Sequence, residues 1–177
     1  MAETAWYYKA VEFLAAKGIT TGTGNGNFNL EGKLTRAQFL VMAMRAYGVA
    51  PDENPEDNFA DGGNTYYTGY LATSKRLSMS QGIGSNQYVP DKEITRQEMF
   101  VLLYNALKLT NNLPQGTTEN LLTNFSDEDK IASWVKDAIS LFVSTGTING
   151  SEGMLNPTDT TKRAEMAQVL YNLLAGE

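Results

Sequence analysis

One short motif occurs three times in this chain. Leu34-Thr35-Arg36-Ala37-Gln38-Phe39-Leu40 returns as Ile94-Thr95-Arg96-Gln97-Glu98-Met99-Phe100 and, more loosely, as Thr161-Lys162-Arg163-Ala164-Glu165-Met166-Ala167. After each arginine the offsets +3, +4, +6, +7, +10 and +11 are apolar. They read Phe39, Leu40, Met42, Ala43, Ala46 and Tyr47; then Met99, Phe100, Leu102, Leu103, Ala106 and Leu107; then Met166, Ala167, Val169, Leu170, Leu173 and Leu174. That spacing is one face of an α-helix. A chain that repeats one amphipathic helix in register three times consists of three copies of one unit.

The remainder of the unit repeats as well. A first helix is expected over 4–17, where Trp6, Ala10, Phe13 and Leu14 fall at helical spacing and Gly18 supplies the stop. A glycine- and asparagine-rich loop follows over 22–27, then Phe28 and Leu30 in a short extended piece, then the arginine helix over 36–47, ended by Gly48. A shift of 60 residues carries Trp6 onto Tyr66, Gly22 onto Gly82, Phe28 onto Tyr88 and Arg36 onto Arg96. In the third copy Trp134 stands 12 residues before Gly146 and 16 before Gly150, and Leu155-Asn156-Pro157 replaces Tyr88-Val89-Pro90. The repeats are thus 2–49, 58–109 and 124–177, within one domain spanning 1–177. Polar connections over 50–58 and 110–120 read as surface loops. Phe59-Ala60-Asp61 and Phe125-Ser126-Asp127 precede the second and third units; the first has no such element, so either the chain is trimmed there or that corner closes differently.

A helix–loop–helix unit with one apolar face per helix cannot hide that face alone. Three units can, by turning their faces to a shared centre, and burial at ~25 cal/mol per Å² makes that arrangement favourable. The expected fold is therefore all-α, with three helix–loop–helix repeats in pseudo-threefold symmetry around a central helical bundle.

Composition narrows the chemistry. With no cysteine and no histidine among 177 residues, thiolate and imidazole metal sites, disulfides and serine–histidine catalysis are absent. A net charge of −6 argues against a nucleic-acid module. No apolar run approaches the ~20 residues of a membrane span, and Met1-Ala2-Glu3-Thr4 shows no signal-peptide pattern. Asp127-Glu128-Asp129 lacks the glycine and closing glutamate of an EF-hand loop. Gly22-Thr23-Gly24-Asn25-Gly26 lacks the lysine of a phosphate loop.

The motif itself suggests an anion site. Thr35 with Gln38, and Thr95 with Glu98, have capping-box spacing, which places Arg36 and Arg96 at the first helical position. A cation there opposes the helix dipole by ~0.3–1 kcal/mol. Three arginines kept at such a position suggest a visiting carboxylate or phosphate, met by the guanidinium fork and free backbone N–H groups. The alternative is that each arginine pairs with a neighbouring acid or covers apolar surface with its stem. Trp6, Tyr66 and Trp134 suit either a core anchor with an exposed edge or a sugar-stacking platform. Gly22, Gly82 and Gly150 suit left-handed turns and also the close approach of a ligand. Asp61 and Asp127 suit the closure of local turns, with hydrogen bonds to sugar hydroxyls as a second use.

Taken together, the aromatic-bearing helix, the glycine loop, the Tyr88-Val89-Pro90 step and the Thr35-Arg36-Ala37-Gln38, Thr95-Arg96-Gln97-Glu98 and Lys162-Arg163-Ala164-Glu165 segments resemble the S-layer homology domain over nearly the whole chain. The resemblance implies a monomeric pseudotrimer whose loops form three prongs with grooves between them. It implies grooves that bind secondary cell-wall polysaccharide, an anionic polymer often bearing a pyruvate ketal, and so tether S-layer proteins or surface enzymes to the Gram-positive wall. It implies no catalysis, no cofactor, no metal, no nucleic acid and no membrane insertion. The implied ligand-binding residues are Arg36, Arg96, Arg163, Trp6, Tyr66, Trp134, Gly22, Gly82, Gly150, Asp61 and Asp127. Three departures predict unequal grooves: Gln38 in place of the acid, Lys162 in place of threonine, and Ser78 in place of the glycine at 18 and 146. Two other classes remain open, a glycoside hydrolase with a carboxylate pair and a protein–protein oligomerisation module.

Overall fold

The computed structural model describes residues 6–116 and 121–175. Within them the chain is helical and forms no strand, as expected of an all-α fold. Its α-helices are α1 (Tyr8–Ala16), α2 (Arg36–Ala46), α3 (Thr68–Arg76), α4 (Arg96–Leu109), α5 (Lys136–Ser144) and α6 (Arg163–Ala175). Short 3-10 turns at Leu121–Asn124, Glu128–Lys130 and Ser133–Val135 lead into α5. The expected start of the first helix at Thr4 lies outside the described residues; within them α1 begins at Tyr8, after a turn at Trp6 and Tyr7.

The arginine helices begin where the capping chemistry puts them. Thr35 and Thr95 each accept the N3 backbone N–H, and the Gln38 and Glu98 side chains reach back to the Thr35 and Thr95 amides at 3.2 and 2.9 Å. The third copy keeps half of the device: Lys162 has no capping oxygen, but its amide still donates to Glu165 at 2.9 Å.

Each unit is completed by its neighbours. Helix α1 packs on α6, α3 on α2 and α5 on α4, so every first helix lies on the arginine helix of the preceding unit. Helix α2 also contacts α4 and α6. With three helices around it, α2 buries Arg36, Ala37 and the unbroken run Phe39 to Met44. The apolar positions predicted on the three arginine helices do form the core: all are buried except Ala46, Tyr47, Leu173 and Leu174, which are half-buried near the helix ends.

At the head of the arginine helices the main chain closes a ring. Leu34 N donates to Thr161 O at 3.2 Å, Thr161 N to Ile94 O at 3.0 Å, and Ile94 N to Leu34 O at 2.9 Å. Outside this ring, the first two amides of each helix donate to the next unit. Arg36 and Ala37 reach Lys92 and Pro90, Arg96 and Gln97 reach Asp159 and Pro157, and Arg163 and Ala164 reach Gly32 and Leu30, all at 2.8–3.1 Å. The first two N–H groups that helix geometry leaves without intrahelical partners are therefore satisfied by protein in all three helices. They are not free for an anion, which corrects one premise of the sequence argument.

Candidate functional site

Three clefts open at the junctions of the units, with volumes of about 880, 490 and 600 Å³. Each combines the same three parts in rotation. The first joins Arg96, the Gly150 loop and Trp6. The second joins Arg163, the Gly22 loop and Tyr66. The third joins Arg36, the Gly82 loop and Trp134. Loop and groove-wall helix come from one unit, the arginine from the unit before it and the aromatic from the unit after it, so no repeat contains a whole groove.

The three aromatics are exposed at the clefts. Trp6 and Tyr66 are 60% exposed and Trp134 is 54% exposed, in contrast to the core-anchor reading. The anchor is the following residue: Tyr67 and Val135 are buried and Tyr7 is half-buried. Tyr7 and Tyr67 support their neighbours edge-on at centroid separations of 5.3 and 5.1 Å. Consecutive residues point in different directions on a turn, so the core holds one ring and presents the other.

The arginines differ in their surroundings. Arg36 and Arg163 are 4% exposed. Arg36 Nε donates to Tyr88 O at 2.9 Å, its guanidinium lies 4.7 Å from the Tyr88 ring centroid, and Tyr88 Oη donates back to Arg36 O at 3.2 Å. Arg163 repeats this on Phe28, with Nε to Phe28 O at 2.6 Å and the ring at 4.7 Å. Arg96 reaches Leu155 O at 2.8 Å, but leucine offers no ring; its guanidinium lies instead 5.5 Å from Phe100 of its own helix. Each arginine thus ties one unit to the next while facing a cleft. The pairing with the next unit is what the geometry shows for all three.

The acid at the N3 position sets the charge each arginine shows. Glu98 binds Arg36 at 3.0 Å and Lys92 at 3.3 Å. Burial of Glu98 opposes its ionisation, but the Thr95 amide, the Arg36 guanidinium, the Thr95 hydroxyl and Lys92 outweigh that and hold its carboxyl below the usual range. Glu165 lies 3.7 Å from Arg96. Arg163 faces the neutral Gln38 and forms no ion pair among the described residues. Burial lowers its pKa.

The glycines also line the clefts, and their own backbone already demands them. Gly82 has φ +71°, and a Cβ there would collide with the Gln87 carbonyl and meet the Phe59 ring at 2.9 Å. Asp61 and Asp127, by contrast, do not line the clefts. Asp61 accepts the Tyr88 and Val89 amides at 2.8 and 2.7 Å, and Asp127 accepts those of Leu155 and Asn156 at 2.9 and 2.7 Å. Both carboxylates close the step that presents a carbonyl to an arginine, so turn closure is the use the geometry supports. In the first unit, which has no such aspartate, Asn27 Oδ1 accepts the Asn29 amide at 2.8 Å.

Several groove residues escaped sequence reasoning. Offset +9 from the arginine is occupied by Arg45, Asn105 and Asn172, and all three line clefts. Asn105 and Asn172 hold the facing loops through Met79 O and Thr147 O at 3.0 and 3.3 Å. The signal was present, a polar position in register between apolar offsets +7 and +10. Ile83, 56% exposed, and Lys33 were not singled out by any pattern.

These features define a three-repeat helical module with clefts at its junctions. The profile of the S-layer homology domain matches residues 1–40, 58–100 and 124–167, and the chain belongs to that family. It is 26% identical over 165 residues to S-layer protein EA1 of Bacillus anthracis, a match covering 93% of this chain and 18% of that protein. S-layer protein sap of the same organism is 28% identical over 165 residues, covering 93% and 20%. The amylopullulanase of Thermoanaerobacterium thermosulfurigenes is 28% identical over 172 residues, covering 96% and 9%. The chain thus spans a fifth or less of the length of these relatives. Among solved structures, the undecaheme cytochrome from the S-layer of Carboxydothermus ferrireducens aligns with TM-score 0.46 and 21% identity, over 82% of this chain and 18% of that one. Family membership places the chain at the cell surface, as a module of the kind that anchors surface proteins to the wall. Among the described residues no helix is long and apolar enough to cross a membrane.

Proposed function

We propose that the chain is a non-catalytic module that binds an anionic secondary cell-wall polysaccharide, such as one with pyruvylated amino sugars, in its inter-repeat grooves, and so anchors the protein that carries it. The observation that carries this reading is the rotation of parts: every cleft combines an exposed aromatic, an arginine and a glycine loop from three different repeats. An exposed ring offers a stacking face to a sugar, and a guanidinium offers a planar fork to a carboxylate. The ring of main-chain hydrogen bonds joining Leu34, Ile94 and Thr161 supports a pseudo-threefold arrangement of one domain, with the repeats bounded at 2–49, 58–109 and 124–177. A monomeric pseudotrimer is the assembly this favours, because the faces a symmetric partner would cover are already covered within the chain.

The test is co-sedimentation with purified wall sacculi, before and after chemical removal of the attached polysaccharide. Binding should disappear with the polymer and should fall when Trp134 is replaced by alanine. Retention on bare peptidoglycan, or release of cleaved sugar during incubation, would refute the reading.

A further inference from the structure

The three clefts are built alike but are not charged alike. At offset +2 from the arginine the groove walls carry Glu98, Glu165 and Gln38, and at offset +9 they carry Asn105, Asn172 and Arg45. Both departures fall in the cleft of about 490 Å³ that holds Arg163. In the Arg36 cleft the guanidinium is neutralised by Glu98 at 3.0 Å. In the Arg96 cleft Glu165 stands 3.7 Å away, and Lys162 is drawn off to Glu31 at 2.6 Å. In the Arg163 cleft Gln38 supplies no charge, and among the described residues no acidic side chain lines the walls. Arg45 adds a second cation there, exposed, with Nε on Tyr70 Oη at 3.2 Å.

From these positions we infer that the Arg163 cleft is the principal anion site of the chain, selecting the carboxylate-bearing sugar of the polymer, while the Arg36 cleft takes an uncharged part. The inference rests on the wall-polysaccharide reading above and assigns its charge preference to one groove. A buried guanidinium without a carboxylate keeps its Coulombic demand unmet, and the low-dielectric wall of a cleft strengthens the attraction to an incoming anion. A guanidinium already bound to a carboxylate must lose that partner first. Exposed Tyr66 beside the two arginines supplies the face on which the sugar ring rests. Glutamine at 38 is thus a specificity-determining residue: it still completes the capping box of α2 and leaves Arg163 without a carboxylate among the described residues.

The experiment measures binding by calorimetry of a pyruvylated N-acetyl amino sugar and of its methyl ester, using the whole chain. Gln38→Glu and Arg45→Asn each install the residue another repeat holds at the same offset, so neither is foreign to the fold. Each should weaken the charged sugar about tenfold or more and leave the ester unchanged. Gln38→Glu should not lower the melting temperature, because it creates the ion pair that Glu98 makes with Arg36. If wild type binds the charged sugar and both variants bind it equally well, the inference is refuted and the anchoring reading stands. If wild type binds neither wall polymer nor either sugar, both fail.

Discussion

Replacing Arg36 by alanine tests how far the motif arginines hold the units together. From the sequence alone the loss would be one of wall binding with little effect on folding, because a charged residue at a helix start reads as a surface group. The structure changes the expected result. The substitution leaves the buried Tyr88 carbonyl without its 2.9 Å donor, a loss of ~1–3 kcal/mol for an unsatisfied buried acceptor. It removes the contact with the Tyr88 ring at 4.7 Å, worth ~0.5–2 kcal/mol. It also removes the 3.0 Å partner of Glu98. Breaking a buried pair costs ~3–5 kcal/mol, but Glu98 is 17% exposed and keeps Lys92 and the Thr95 amide, so this share is smaller. These losses involve the same atoms and do not add; the net destabilisation is about 3–4 kcal/mol. In a domain of this size that lowers the melting temperature by roughly 6–16 °C. Arg96→Ala is the internal control. Arg96 is more exposed, lies 3.7 Å from its acid and has no aromatic partner on the next unit, so about 1–2 kcal/mol is expected. Urea unfolding monitored by circular dichroism, with the slope unchanged, gives both numbers. If Arg36→Ala costs no more than Arg96→Ala, burial and the cross-repeat carbonyl are not what these residues contribute.

Thr161 occupies the ring position held elsewhere by Leu34 and Ile94, and its Oγ1 is buried without a partner; Thr161→Val should stabilise the fold by about 1–2 kcal/mol in urea unfolding. Ser78 adopts φ +56° where Gly18 and Gly146 stand at +68° and +71°, so Ser78→Gly should raise stability by about 1 kcal/mol, read as a shift in melting temperature. The folded-state pKa of Glu98 lies below its ordinary value of 4.5, so its stabilising contribution is complete above that pH and is lost as pH falls through the lowered value. The melting-temperature gap between wild type and Glu98→Gln should therefore be constant near neutrality and narrow below about pH 4.5. A gap that widened with acid would reverse the sign of this argument.

The helices and the core were legible because their signals are local and repeated. Burial of Met99, Phe100, Leu102 and Leu103 follows from periodicity alone, and Thr35 and Thr95 cap where a threonine three residues before an acid or amide should. The fates of Asp61 and Trp6 were harder to read. An aspartate in a Phe-x-Asp step can turn to a ligand or to the backbone, and the choice depends on the Tyr88 and Val89 amides, which arrive from 27 and 28 residues away. A tryptophan at the mouth of a helix can be anchor or platform; Tyr7 and Tyr67 take the inner position, which leaves Trp6 and Tyr66 outside.

The sequence by itself determined that there are three units, that each is a pair of helices, and which residues meet in the core. Those properties depend on spacing along one chain segment, where helix geometry is the same in every protein. Only the tertiary structure decided what the arginine does. Read within its own helix, Arg36 is a cation opposed to the dipole and open to an anion. In the folded chain its partner is a carbonyl 52 residues away, with a ring beneath it and an acid beside it. Gln38 could be read as a departure from the motif. That it leaves Arg163 without an ion pair among the described residues follows from the order in which the units close, a property of the assembled domain rather than of any one repeat.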